Sequence, residues 1–483
     1  MKQVNKAIKQ AAEFVEGRPL TKGNSQQRLH VQTQSWNYVT SGLLAVRNVA
    51  KKDKKRQFTN LLKHIDEQLL NESFFKLKRR SAAGCDGVTW DRFRLNLAGN
   101  IRELHDQIHT GRYKPKPARR VFILKEDGSQ RPLSIICLRD KVVQQAMVTV
   151  LNQIYEEDFL GFSYGFRPGR GQHDALDALN VAITKRKVNW VLDLDISKFF
   201  DTVEHDWLIR FLQHRIGDKR VVRLINQWLK VGILDEHGHR VHAKLGTPQG
   251  AVISPLLANI YLHYVFDLWL NRERTRSAQG EVVIVRYADD AVLGFQKHKD
   301  AQACLCGLKA RLKSFGLQIH PDKTKLIRFG RFALSQFKEQ KARGKPGTFD
   351  FLGFTHYCGL KYQGDKGEVA IKRKTKRKRL TNQLKKIRHE LKRRLHDKPY
   401  ETGQWLRRVV QGHINYYGVP YNSKSLSLFI EEVRKAWLKA LRRRSQRSQM
   451  TWSRFERLAK YWIPPPRIVH PYPEKRFYAM HPR

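Results

Sequence analysis

The sequence predicts an α+β fold whose C-terminal part is a basic helical domain. Three observations carry this expectation. Between residues 57 and 360, alternating apolar and polar strand grammar interchanges with helical grammar, punctuated by Gly and Pro. From residue 368, Leu380, Leu384, Ile387, Leu391 and Leu395 recur every three or four positions with Lys and Arg between them, the stripe of a helix that buries one face. Apolar residues make up 41% of the 483 positions, enough to bury a sizeable core in several units. The two ends read differently. Residues 1–56 form a polar N-terminal extension in which Gly23-Asn24-Ser25-Gln26-Gln27 is loop. Residues 463–483 hold six prolines and predict an extended arm.

Charge narrows the partners. Lys and Arg number 93 against 44 Asp and Glu, a formal net charge of +49. Self-repulsion of that size suits a polyanionic partner, and nucleic acid gains from the counterions each neutralised phosphate releases. No run of about eighteen apolar residues appears, and the start lacks the apolar stretch of a signal peptide, so no membrane partner is expected. The cysteines Cys85, Cys137, Cys304, Cys306 and Cys358 are odd in number and scattered, which forms neither a disulfide framework nor a four-ligand zinc site. A reducing compartment, the bacterial cytoplasm or nucleoid, is expected. The close-set His237, His239 and His242 have no partner cysteine and read as a polar loop.

Two carboxylate-bearing segments carry the chemistry. In Trp190-Val191-Leu192-Asp193-Leu194-Asp195-Ile196, alternation places Leu192, Leu194 and Ile196 on one face and Asp193 and Asp195 on the other. In the segment 282–295, two apolar runs flank a polar break, which predicts a β-hairpin with Asp289 and Asp290 at its tip. A plain turn is the alternative for the tip, because Asp favours turns. Neighbouring strands would bring Asp195 to Asp289, and carboxylates that close repel unless cations are bound. Two Mg²⁺ ions so held, with Mn²⁺ able to substitute, would support in-line phosphoryl displacement.

Tyr287-Ala288-Asp289-Asp290 resembles the palm motif of reverse transcriptases. Further segments resemble, in order, the blocks of the group II intron-encoded members: Ala83-Gly84-Cys85-Asp86-Gly87-Val88-Thr89, then Val121-Phe122-Ile123-Leu124-Lys125 with Gln130-Arg131-Pro132-Leu133. Tyr164-Gly165-Phe166-Arg167-Pro168-Gly169-Arg170 and Gly246-Thr247-Pro248-Gln249-Gly250 follow, and then Ser254-Pro255-Leu256-Leu257-Ala258-Asn259. His320-Pro321-Asp322-Lys323-Thr324-Lys325 and Phe351-Leu352-Gly353-Phe354 complete the series. One block is a weak signal; this many in register is a strong one. The resemblance covers roughly residues 57–462 and implies a right-hand fingers-palm-thumb polymerase. Fingers would occupy 57–190, palm 191–360, and a basic thumb or maturase domain 368–462, with the proline-rich arm at 463–483.

The resemblance also implies roles. Asp195 and Asp289 would be the principal catalytic metal ligands, with Asp290 beside them and Ile196 in the same metal site. Phe200 would close the sugar pocket against a 2′-OH, making dNTPs the substrate; an ordinary core aromatic is the alternative. Lys125 and Arg131 flank the Glu126-Asp127-Gly128 turn and would hold the triphosphate, or else form a solvated basic face. The Gln249 amide would line the nucleotide pocket. Arg167 and Arg170 would grip template phosphates, Lys323 would meet template or primer, and Leu352 and Gly353 would seat the primer end unless they form only an apolar turn. Arg442, Arg443 and Arg444, fanned around a helix, would join Tyr416, Tyr417 and Trp437 in binding structured intron RNA by charge and stacking.

The family often has Lys-Gly where this chain has Ser197-Lys198, which leaves template contacts open. No cysteine follows Cys358, so the zinc-stabilised His-Asn-His endonuclease of many relatives is not expected. Mobility into a DNA target would then use an existing DNA 3′ end. The leading reading is an RNA-directed DNA polymerase that copies an RNA template from a DNA primer and also serves its intron as a splicing maturase. A domesticated relative in DNA repair or phage defence, and a splicing cofactor with incidental polymerase activity, stay open. The sequence sets no oligomeric state.

Overall fold

The computed structural model describes residues 41–124, 130–235, 239–241, 245–333, 346–361, 369–444 and 450–480. Its strands are β1 (Ala118–Leu124), β2 (Gln130–Ile135), β3 (Trp190–Asp195), β4 (Ile233–Leu234), β5 (Arg240–Val241) and β6 (Val282–Tyr287). They continue as β7 (Asp290–Phe295), β8 (Lys325–Arg328), β9 (Phe349–Phe351), β10 (Phe354–Leu360) and β11 (Val369–Thr375). These form three sheets, in the orders β2-β1-β4-β5, β6-β7-β3-β8 and β11-β10-β9.

The second sheet is the palm. Val191, Leu192 and Leu194 of β3 are fully buried, as are Val292 and Leu293 of β7, while Asp193 and Asp195 stay partly open. The helices His298–Lys313 and Ser254–Leu262 bury their apolar residues in the same core. Helix Leu138–Asp158 runs through that core, buried on most of its circumference.

Two boundaries differ from expectation. β4 and β5 fall within the stretch assigned to the palm, yet β4 pairs with β1 and extends the fingers hairpin. Short strands of this kind leave no long apolar run to read, and only the parallel pairing assigns them. The N-terminal extension also ends earlier than expected. Ser41–Lys52 is a helix that buries Leu43, Val46 and Ala50, and Arg47 reaches Glu157 at 2.6 Å.

The third sheet leads out of the palm into the thumb. β10 pairs with β11 along its whole length, and buried Arg373 of β11 meets Asp177 at 2.8 Å. Asn422 closes the junction: Thr375 N donates to its Oδ1, and its Nδ2 donates to Thr375 Oγ1, each at 2.9 Å. Helices Arg377–Arg393, Pro399–Tyr417, Ser423–Arg442 and Trp452–Trp462 then pack around their own core. Leu380, Leu384, Ile387 and Leu391 face it as the spacing predicts, whereas Leu395 lies past the helix end.

The proline-rich arm is extended only in part. Pro473–Met480 is a helix, because a proline in the first turn gives up no hydrogen bond. The arm returns to the body. Val469 N and His470 N donate to Gly418 O at 2.8 and 3.0 Å, and Arg476 reaches Asp177 at 2.7 Å and Asp174 at 3.2 Å. Among the described residues, no helix is long and apolar enough to cross a membrane.

Trp437 corrects an expectation: it is fully buried in the thumb core, with its ring edge-on to Phe455, and offers no face to a base. A large aromatic midway along an amphipathic helix is more useful inside than out. Trp437→Ala should therefore destabilise the thumb by about 3–5 kcal/mol. Chemical denaturation followed by thumb fluorescence checks this; a variant as stable as the parent but weaker on RNA would restore the stacking role.

Candidate active site

Backbone pairing sets the site. β3 and β7 are antiparallel with Asp195 opposite Asp290, so strand register alone brings two carboxylates face to face. β6 and β7 pair Tyr287 with Asp290, which leaves Ala288 and Asp289 as the two turn residues. Asp290 is thus the first residue of β7 and not part of the tip, a one-residue correction. Ala288 has φ +58°, a left-handed conformation that costs an L-residue about 1–2 kcal/mol. The turn is braced from outside by Gly165, where a Cβ would lie 2.3 Å from the Ala288 nitrogen. Only glycine permits that approach.

Like charges crowd here. Burial, then Asp289, Asp193 and Asp195, pushes the Asp290 carboxyl up to about 8. Burial, then Asp350 and Asp195, pushes Asp193 up to about 7. Two cations face the cluster: Lys323 Nζ lies 3.4 Å from Asp195, and Lys376 Nζ lies 3.1 Å from Asp350. The main chain around Asp195 is held as well, since His320 N donates to its carbonyl at 2.8 Å. Ile196 beside it is buried and bridges to Ile319. The Asp195, Asp289 and Asp290 side chains offer oxygen donors only, the set that hard divalent cations such as Mg²⁺ prefer, and a cation would relieve the load on Asp290. They converge without closing: among the described residues, no three His, Cys, Asp or Glu side chains are gathered into a ready-made ion site.

The nucleotide side is built on the loop 246–250. Thr247 N donates to Phe200 O at 2.8 Å, and Ser134 N donates to Gln249 O at 2.6 Å, so the loop joins the segment after Asp195 to the fingers strand β2. Phe200 is half-buried, with its ring 5.3 Å from that of buried Phe199. Gln249 Nε2 donates to Asp201 Oδ1 at 2.8 Å, which fixes its amide. Arg131 stands on β2 opposite Ile123. Lys125 lies outside the described residues, as do His237 and His242; His239 is exposed, 3.6 Å from Asp235.

Toward the thumb, β9 and β10 make a tight hairpin with Phe351 opposite Phe354. The two turn residues, Leu352 and Gly353, both have positive φ, +47° and +83°, the twist of a type I′ turn. Tyr416 Oη donates to Leu352 O at 2.7 Å, and Lys376 N donates to Gly353 O at 3.0 Å. The Tyr416 and Tyr417 rings pack on Phe354 at 5.7 and 5.2 Å. The stacking on RNA that the sequence suggests is replaced by packing that locks the thumb to the Leu352-Gly353 turn.

Three arginine expectations also change. Arg167 is buried, and its guanidinium is committed to Glu156 at 3.0 Å and to the Leu160 and Ser163 carbonyls at 2.9 Å each. Arg170 bends back to the Gly161 and Ser163 carbonyls at 2.6 and 3.1 Å. A short loop with several unpaired carbonyls captures the nearest guanidinium donors. The third is the run at the end of helix Ser423–Arg442. The helix stops at Arg442, so Arg443 and Arg444 lie in the following turn and do not fan around a helix; Arg442 and Arg443 are exposed.

Sequence reasoning passed over four residues at the site: Asp201, Asp350, Lys376 and the buried Arg286, whose guanidinium donates to Ala288 O at 2.9 Å. Only Arg286 carried a signal, as a charge directly after the apolar run Val282-Val283-Ile284-Val285. The other three depend on long-range pairing.

The chain is similar to known proteins in this region. The family model described as "Reverse transcriptase (RNA-dependent DNA polymerase)" matches residues 123–356. Protein YkfC of Escherichia coli is 37% identical over 276 residues, spanning 50% of this chain and 71% of the relative. The group II intron-encoded protein LtrA of Lactococcus lactis is 39% identical over 212 residues, covering 43% of this chain and 34% of LtrA. An uncharacterized 91 kDa protein in the cob intron of Schizosaccharomyces pombe is 29% identical over 314 residues, covering 53% of this chain and 38% of that protein. The chain thus spans well under half the length of the last two.

Arg167→Ala should strand Glu156 and cost about 3–5 kcal/mol of stability, the range for breaking a buried ion pair. The salt slope of RNA binding by the folded variant should not change. A slope lower by about one phosphate contact would return Arg167 to the template.

Proposed function

Because this chain belongs to the group II intron-encoded reverse transcriptases, a family of RNA-directed DNA polymerases, we propose that it copies RNA into DNA and binds its own folded intron RNA as a splicing maturase. The observation behind the polymerase chemistry is the pairing of Asp195 with Asp290 across β3 and β7, with Asp289 on the adjoining turn. Asp195 and Asp289 would hold Mg²⁺ as the principal ligands, with Asp290 and Ile196 in the same site, and the ions would supply positive charge for phosphoryl displacement.

Around that centre, each residue binds or excludes. Phe200 presents its open face where a 2′-OH would stand, favouring dNTPs. Gln249, held by Asp201, lines the nucleotide pocket. Lys125 and Arg131 grip the triphosphate from the fingers. Lys323, beside Asp195, faces the incoming phosphates or the template-primer duplex. The Leu352-Gly353 turn seats the primer 3′ end, backed by Tyr416. The RNA-binding work of the thumb falls to exposed Arg442 and Arg443 with Arg444, and to the Lys and Arg of helix Arg377–Arg393. Structured intron RNA, an RNA template with a DNA primer, dNTPs and a DNA target are the partners of this reading.

Asp289→Ala should abolish Mg²⁺-dependent dNTP incorporation on an RNA template and leave RNA affinity close to that of the parent, since the basic surface carries binding. Near-normal primer extension by that variant rejects the assignment.

The maturase role has its own test. Arg442, Arg443 and Arg444 changed together to Ala should weaken intron RNA binding and flatten its salt slope by up to about three phosphate contacts' worth. Splicing at low Mg²⁺ should fail, while extension on an unstructured template suffers less. Equal binding of cognate and scrambled RNA at every salt, with splicing that needs no protein, removes the maturase role.

A further inference from the structure

The catalytic hairpin hangs on one buried guanidinium. Arg286 is 1% exposed and sits on β6, two residues before Ala288. Its Nε donates to Asp267 Oδ1 at 2.7 Å. Nη2 donates to Asp267 Oδ2 at 2.5 Å and to Ser163 Oγ at 2.7 Å, and Nη1 donates to Asn259 Oδ1 at 3.1 Å and to Ala288 O at 2.9 Å. A guanidinium has five N–H hydrogens, and these five bonds use them all.

The acceptors are themselves fixed. Asp267 is fully buried and ends the π-helical segment His263–Asp267, which interrupts the helix begun at Ser254–Leu262. One residue more per turn rotates Asp267 relative to a continuous α-helix, and such segments recur at functional sites. Asn259 is 1% exposed, and its Nδ2 donates to Gly165 O at 2.7 Å. Gly165 in turn lies against the Ala288 nitrogen. The Ala288 residue is therefore held at its carbonyl by Arg286 and pressed at its nitrogen by Gly165.

We propose that Arg286, set by Asp267 and Asn259, is the positioning residue that holds the left-handed Ala288 turn and thereby aims the Asp289 carboxylate at the metal site. The role rests on the polymerase reading above. It is geometric and not a charge effect, because the bidentate pair with Asp267 cancels the guanidinium's charge before it reaches the cluster. Ala288 O belongs to the peptide that links Ala288 to Asp289, so fixing that oxygen fixes the plane from which Asp289 departs. A lysine could meet Asp267 but could not at the same time reach Asn259 and Ala288, because it lacks the planar fork.

The test is Arg286→Lys in the full chain, assayed by primer extension on an RNA template across a Mg²⁺ series, with thermal melting in parallel. Positioning predicts a kcat lower by about tenfold per folded molecule, KM for dNTP within about twofold of the parent, and half-saturation at a raised Mg²⁺ concentration. If the lysine variant does not fold, Ser163→Ala removes one arm of the clamp without stranding a charge. It should lower kcat per folded molecule in the same direction, by about threefold, with melting lowered only by the loss of one buried hydrogen bond. Activity that only tracks the folded fraction, with parental kcat and Mg²⁺ dependence, overturns the positioning role. A parent protein that incorporates no dNTP on any primed RNA instead overturns the polymerase reading itself.

Discussion

Everything at the centre of this molecule answers to one electrostatic constraint: the antiparallel register of β3 and β7 sets Asp195 opposite Asp290. Like charges directly opposite on paired strands destabilise the pair, so the rest of the apolar sheet imposes the juxtaposition and the surroundings must accommodate it. They do so only in part. Asp193 and Asp350 add to the negative field, while Lys323 and Lys376 oppose it from the rim. The two lysines pair with Asp195 and Asp350, and the half-buried Asp290 carboxyl stays raised among its like-charged neighbours.

A site under such repulsion needs a rigid frame, and the frame is made of buried polar groups. Asp267 with Arg286, Glu156 with Arg167, and Asp177 with Arg373 are each largely withdrawn from water. Buried pairs seldom add net stability, but losing one partner is costly, so they favour a single arrangement over near alternatives. Two span short stretches of chain, and the third joins residues far apart in it. The first ties the catalytic hairpin to a π-helical segment, the second closes the loop 156–170, and the third attaches the thumb sheet to helix Gln172–Lys185.

The thumb is coupled to the palm through small contacts of the same kind. Tyr416 holds the Leu352 carbonyl, Asn422 holds Thr375, and the C-terminal arm hydrogen-bonds to Gly418 while Arg476 reaches Asp174 and Asp177. The aromatic residues that looked suited to bases are consumed in this joint and in the thumb core. The thumb surface that remains is rich in Lys and Arg, with Tyr400, Trp452 and Tyr461 also exposed.

The sequence by itself determined the elements whose signal is local. Alternation in 190–196 foretold β3, the paired apolar runs foretold the β6–β7 hairpin, and the leucine spacing foretold helix Arg377–Arg393. Strand grammar foretold that the two carboxylate-bearing segments would adjoin, while the register sets Asp290, and not Asp289, opposite Asp195. Tertiary structure decided whatever depends on who else is near. Tyr416, Trp437 and Arg167 have side chains equally suited to a nucleic acid or a protein neighbour, and only packing showed that protein had taken them. Arg286 gave no local sign of its role, which rests on Asp267, 19 residues away. Periodicity along a chain reports which face is buried, while the occupant of that face is set by contacts that local sequence does not encode.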